Sequence, residues 1–135
     1  MKLLIGILIL GMSIAALGQA DPNQSSPKTT VPKYNPAAEA VYKGTVDDVS
    51  DHQCPVSGGM GSHIMLKLDG GTIIEVHLAT VEFTKMVEVN LQKGDAVEVT
   101  GWKTDLDGVE TIFAREVRRG TDVYTFRTKD DKPAW

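Results

Sequence analysis

The chain has a single cysteine among its 135 residues. An intramolecular disulfide framework is therefore excluded, and so is a zinc site built from four thiolates. Histidine is almost as scarce, at three residues. There is no Walker or dinucleotide glycine motif and no EF-hand pattern, which removes the common signatures of nucleotide and calcium chemistry. Basic residues are outnumbered, 14 Lys and Arg against 18 Asp and Glu, for a net charge of −4. That balance lacks the electrostatic footprint of a general nucleic-acid binder. What remains is ordinary: 41% hydrophobic and 24% charged residues, a composition that folds, in a length suited to one domain.

The one long apolar run is at the start. Lys2 precedes an almost wholly apolar stretch from Leu3 to Leu17, and Gly18-Gln19-Ala20 has a small-x-small cleavage pattern. These features predict a secretory signal peptide over residues 1–20, cut after Ala20. The apolar run falls short of the ~20 residues of a bilayer span. The expectation is export, to the periplasm or outside the cell, with no stable membrane span after cleavage; retention as an anchor is the rival outcome. Cleavage removes Lys2 and no acidic residue, so the mature chain is more acidic still. Residues 21–39 carry Pro22, Pro27, Pro32 and Pro36, four of the six prolines. They predict a disordered tail or tether ahead of a folded domain over residues 40–135.

That domain reads as short strands. Residues 40–49 are rich in β-branched and aromatic side chains, with Gly44 marking a bulge or bend. Residues 52–62, with Pro55, three glycines and two serines, predict a loop. Residues 63–69 and 72–79 predict strands joined at Gly70-Gly71. Thr80 suits an N-cap for a short helix reaching about Glu88, with Phe83, Met86 and Val87 on one face. Residues 96–103 and 109–117 predict further strands, and residues 122–128 a last extended piece. The expected fold class is all-β, a small five-stranded OB-fold-like barrel with one short helix between strands 3 and 4. A split β-sandwich is the rival.

The segments HIMLKLDGGTIIEVHLA, KGDAVEVTGW, AREVRRG and FRTKDDKPAW, in that order, resemble a family of exported bacterial OB-fold domains. They are similar to magnetosome domains of the MamS and MamX type, and more distantly to periplasmic bacterial OB-fold proteins. The resemblance covers the whole domain. It implies an OB fold and an association with redox proteins. Members with a CxxCH motif attach haem covalently; this chain has no CxxCH, so covalent haem is not implied. The family's terminal pattern L-R-D-x-x-G-x-P-x-W is matched by Arg127, Pro133 and Trp135, with Thr128 in place of the Asp and Asp131 in place of the Gly.

Candidate ligands follow from strand parity. Ile64, Leu66 and Leu68 share one face, and Ile74 and Val76 must meet them. Pairing Leu66 with Ile74 sets Ile64 opposite Val76 and His63 opposite His77. Both imidazoles then lie on the outer face, with Cβ atoms ~4.5–5.5 Å apart; a two-residue slip would oppose Met65 to His77 instead. His52, Cys54 and Met60 lie in the preceding loop. Imidazole, thiolate and thioether ligands suit Cu or Zn, so Cys54, His63 and His77, with His52 or Met60 in reserve, are the candidate metal ligands. A solvated histidine face is the competing reading. Cys54 also fits a free thiol, an intermolecular disulfide or a small packed side chain, while no orienting partner marks it as a nucleophile.

Trp102 alternates outward with Glu98 and Thr100 and is a candidate for stacking on a base or sugar, unless a bulge at Gly101 returns it to the core. Trp135 reads as a C-terminal anchor. Arg115, Arg118, Arg119 and Arg127 form the basic cluster. They are candidates for binding phosphate or another anion, against a default of ion pairing with Glu110 and Glu116. Asp47, Asp48 and Asp51 read as a solvated acidic edge. The expected function is a non-enzymatic exported binding or accessory module, with a transition metal as its best specific ligand. The alternatives are nucleic-acid or oligosaccharide binding through an OB-fold face, and a protein-interaction module in a redox or envelope assembly.

Overall fold

The computed structural model describes residues 30–135. The predicted signal peptide, and the proline-rich segment up to residue 29, lie outside the described residues. Six strands follow in chain order: β1 (Glu39–Cys54), β2 (Gly59–Leu68), β3 (Ile73–Thr80), β4 (Ala96–Leu106), β5 (Val109–Arg119) and β6 (Asp122–Thr125). One short helix, α1 (Val81–Met86), sits between β3 and β4, where the sequence predicts it. All strands belong to one sheet in the order β3-β2-β1-β4-β5-β6, with neighbours antiparallel, and β3 also pairs in parallel with β5. The all-β class holds; the strand count is six rather than five, because residues 122–125 pair with β5 and extend the sheet. No helix among the described residues is long and apolar enough to cross a membrane.

The length of β1 organises the fold. Its residues 39–45 pair with β4 and its residues 44–54 with β2. Gly44 stands where both partners meet, opposite Leu68 and Val97. A Cβ there would collide with the Lys67 carbonyl oxygen, so the close approach of two strands requires glycine. The bulge expected at Gly44 falls instead at Asp47, where the β1–β2 register shifts.

The segment 52–62, predicted as a loop, is mostly strand. Pairing continues from Asp51 opposite Ser62 to Cys54 opposite Gly59, and only residues 55–58 turn. Backbone pairing is indifferent to small side chains, and Gly58 supplies the positive φ of the turn, +75°. Composition signalled a loop where the ladder simply runs on.

The inner face of the sheet holds the core: Val46, Ile64, Leu66, Ile74, Val76, Val97, Val99, Ile112, Val117 and Phe126, each 4% exposed or less. Thr80 caps α1 by accepting a hydrogen bond from Phe83 N at 3.2 Å. Phe83 then packs near Phe126 and Trp135, with ring centroids 6.5 Å away in each case. Met86, expected on the same face, is 71% exposed. The helix is only six residues long with Met86 as its last residue, and Val87, expected on the same face too, is also exposed.

The outer face carries a second buried layer. Trp102 lies opposite Phe113 in the β4–β5 pair, half-buried between Phe113 and Tyr34, with ring centroids at 5.7 and 5.9 Å. The β4–β5 register shifts between Thr100 and Gly101, yet Trp102 stays on this face. A Cβ on Gly101 would strike the Phe113 carbonyl oxygen. Tyr34, in the proline-rich lead-in, is 5% exposed and donates a 2.6 Å hydrogen bond to Glu39. Packing therefore begins before residue 40. At the C-terminus, Asp131 adopts φ +68°. A left-handed backbone of this kind favours glycine. The turn forms with Asp131 in place, through Thr128 N to Lys132 O at 2.9 Å and Asp131 N to Thr128 O at 3.0 Å.

Candidate metal centre

Three strands align the site. In register, His63 of β2 pairs with His77 of β3, and His77 pairs with Phe113 of β5. Leu66 opposite Ile74 and Ile64 opposite Val76 complete the pairing expected from parity. Both imidazoles lie on the face opposite the apolar core, yet neither is solvated: His63 is 1% exposed and His77 8%. The β1–β2 hairpin end closes over them and brings His52 and Cys54 from the same side. Gly61 permits that closure. A Cβ there would come within 2.6 Å of Ser57 Oγ and 3.0 Å of both Cys54 Cβ and His63 Cε1.

All three imidazoles and the lone thiol of the chain converge. Cys54 Sγ is 3.1 Å from His77 Nδ1, which is 3.0 Å from His63 Nε2. The His52 ring stacks on His63 with centroids 3.8 Å apart and planes within 5°. Glu75, two residues before His77 on the same face, adds a carboxylate. Its Oε1 accepts from His52 Nε2 at 3.0 Å and lies 3.7 Å from His63 Nε2 and 4.0 Å from His77 Nε2. The donor atoms thus form two triads, Cys54–His63–His77, wholly buried, and His52–His63–Glu75, open to solvent at His52.

The electrostatics keep the buried imidazoles neutral. Burial, reinforced by His63 and His52, depresses the His77 pKa from the ordinary 6.5 to about 3. Burial also lowers that of His63, with His52 adding to the effect, while Glu75, the Gly61 backbone and Asp51 oppose it. Neutral imidazole is the form that ligates. Hydrogen bonding alone leaves the cluster short of partners. Nδ1 of His77 offers one lone pair or one proton, so it makes a single linear bond although Cys54 Sγ and His63 Nε2 both approach it. Nδ1 of His63 is buried and forms no well-aligned hydrogen bond.

Two of the three donor separations in the buried triad come close to those around a metal ion, and all lie within 4.8 Å. Bond lengths of about 2.0–2.1 Å to nitrogen and 2.3 Å to sulfur imply donor separations near 3.3–3.6 Å around a tetrahedral ion. The observed 3.0–3.1 Å needs an expansion of a few tenths of an ångström. A cavity of about 10 Å³, lined by Cys54, His63, His77 and Phe113 among others, adjoins the donors, roughly the space of one water-sized sphere.

The remaining candidates are distributed elsewhere. Met60 is 45% exposed and sits opposite Gln53 near the hairpin end. Arg115 grips Glu39 through Nε at 2.9–3.0 Å and Nη2 at 2.8 Å, an arrangement that also holds the Glu39 carboxyl below its usual range. Arg118 pairs with Glu116 at 3.3 Å. Arg119 donates to Asp95, Asp122 and the Asn90 carbonyl, and its presence lowers the Asp95 pKa. Arg127 is buried against the faces of Tyr34 and Trp135, beside Asp131 at 3.5 Å. Four arginines that cluster in sequence are held by separate carboxylates. Glu75 and Gly61 were missed from the sequence. Glu75-x-His77 and His52-x-Cys54, spaced two apart on strands, carried the available signal.

No curated protein matches the chain. A family comparison matches residues 39–124 to the MamS/MamX magnetosome protein family. The match takes in the whole ladder from the first residue of β1 into β6, and with it every donor of the cluster. On that span the chain belongs to the MamS/MamX magnetosome protein family.

Proposed function

We propose that the protein is an exported, non-enzymatic accessory module that holds one transition-metal ion, Cu or Zn, between Cys54, His63 and His77. The observation that carries this reading is the convergence of the only thiol of the chain and two of its three imidazoles, His63 and His77, on one buried point, with the third, His52, stacked on His63 at the solvent side. Chance placement of four such residues would scatter them, and hydrogen bonding within the cluster leaves donors unsatisfied. Thiolate and imidazole are soft and borderline ligands, the set that Cu(I) and Zn(II) prefer. The family supports a role at the magnetosome; in this reading the partner is a protein of the cell envelope. The signal-like residues 1–20 support export to the periplasm or beyond. The β3–β5 pairing supports reading β1 to β5 as a closed OB-type barrel, with β6 as an added edge strand.

Calorimetric titration of the reduced, metal-free exported protein with Cu(I), Cu(II) and Zn(II) tests the proposal. One-to-one binding that is lost in Cys54→Ala, His63→Ala and His77→Ala establishes the site. Folded protein that binds none of the three ions overturns it.

A further inference from the structure

The buried metal position draws three donors from the chain: Cys54 Sγ, His63 Nε2 and His77 Nδ1. His52 does not supply a fourth. Its ring lies parallel to that of His63, within 5° and with centroids 3.8 Å apart. Imidazole lone pairs lie in the ring plane, so two stacked rings cannot both aim at one ion. Glu75 is engaged on the solvent side, where its Oε1 accepts from His52 Nε2 at 3.0 Å. An ion of the zinc type takes four ligands, and a site with three protein donors keeps the fourth position for water or an added ligand.

What lies beside the donors decides what can enter. Cys54 and His77 line an open cavity of about 190 Å³. Among the described residues, its walls include two carboxylates, Glu75 and Asp107, and no lysine or arginine. Leu106 and Val109 give it an apolar side, against which a flat ring can lie. Carboxylates repel an entering anion at short range, and they accept hydrogen bonds from a neutral donor that carries a proton.

Resting on the metal-binding reading above, we infer that the ion held by Cys54, His63 and His77 keeps an open fourth position toward this cavity. That position takes a neutral, proton-bearing donor, water or an imidazole, in preference to a small anion. The exchange is a ligand substitution. The entering nitrogen bonds to the ion through its lone pair, the bound water leaves intact, and no proton or electron is transferred. Glu75 sets the preference by its charge. Its Oε1 stands 3.7 Å from His63 Nε2 and 4.0 Å from His77 Nε2. Its main chain is anchored by Thr111, whose hydroxyl donates to the Glu75 carbonyl at 2.8 Å.

Co(II) is the probe ion. Thiolate-to-cobalt charge transfer in the near ultraviolet reports that Cys54 is bound, and the visible d–d bands report the coordination sphere. Protein loaded with one equivalent of Co(II) is titrated at fixed pH with imidazole and, separately, with azide. Imidazole should shift the d–d bands with one-to-one saturation while the thiolate band persists. Glu75→Gln should bind azide about tenfold more tightly than the wild type, with imidazole affinity changed by less than about threefold. Asp107→Asn should strengthen azide binding in the same direction; it risks the fold less, because asparagine tolerates the φ of +53° at this turn. Three outcomes overturn the open position: d–d bands that neither ligand shifts, a thiolate band lost on adding imidazole because the ion is stripped, and azide affinity unchanged in both variants. A folded, reduced wild-type protein with no thiolate band at saturating Co(II) overturns the metal-binding reading itself, a separate result.

Discussion

On β2 and β3, adjacent residues serve two different interiors. Ile64 and Val76 face the apolar core; His63 and His77, one residue earlier or later on the same strands, face the polar cluster. The burial is equally deep on both sides, with Ile64 and Val76 at 0% exposure and His63 at 1%. Its energetic meaning is opposite. Removing isoleucine and valine from water stabilises the fold in proportion to apolar area. Removing imidazole from water costs free energy unless each nitrogen finds a partner. The inner face makes the sheet stable. The outer face offsets part of that stability with a cluster whose nitrogens are incompletely bonded.

The contrast can be broken at either face. Ile64→Ala should cost about 2–5 kcal/mol of folding stability, because a cavity remains where the core is tightly closed; denaturant titration reads it directly. Acidification attacks the other face. An imidazole whose pKa falls to about 3 on folding takes its proton near 6.5 in the unfolded chain, so the unfolded state binds more protons in between. Stability of the metal-free protein is therefore full above pH 6.5 and declines as pH falls, by about 2 kcal/mol between pH 6.5 and 5. His63 works in the same direction. Glu39, with its carboxyl pKa lowered, loses its contribution only below the usual carboxylate range. A melting series from pH 7 to 5 isolates the cluster, and His77→Leu should flatten it.

Smaller changes sharpen the comparison. Gly61→Ala forces a methyl group toward Cys54 Cβ and the His63 ring. It should lower metal affinity about tenfold by displacing donors, and overpacking should cost the metal-free protein about 1–3 kcal/mol in calorimetric unfolding. Arg115→Ala removes the paired hydrogen bonds to Glu39 and should cost about 1 kcal/mol, measured by thermal melting. The smallest effect is expected from His63→Leu. Replacing an incompletely bonded buried imidazole by an apolar group of similar size should leave the metal-free protein as stable as before, within about 1 kcal/mol. Metal binding should vanish all the same. Marked destabilisation there would mean that the imidazole is a structural element.

Much of this was legible along the chain, for reasons that differ from element to element. The hairpin register followed from parity because a one-residue slip would carry Leu66 and Ile74 out of the core. The helix start followed from Thr80, whose side chain alone satisfies Phe83 N. The segment 52–62 was misread because glycine and serine content signals a turn locally, whereas pairing depends on the partner strand. The stacking and anion candidates could not be judged from sequence, since the neighbours of Trp102 and Arg115 are Tyr34 and Glu39, which pack from well before them in the chain.

By itself the sequence determined the alternation that puts His63 and His77 side by side and away from the apolar core, since side-chain direction is tied to strand position. Only the tertiary structure decided that this outward face would be covered. The hairpin end folds back through the glycine-permitted approach at Gly61, adding Cys54 and His52, and Glu75 arrives as the nearest carboxylate on β3. Whether an outward face meets water or another layer depends on contacts between segments far apart in sequence, and local periodicity carries no record of them.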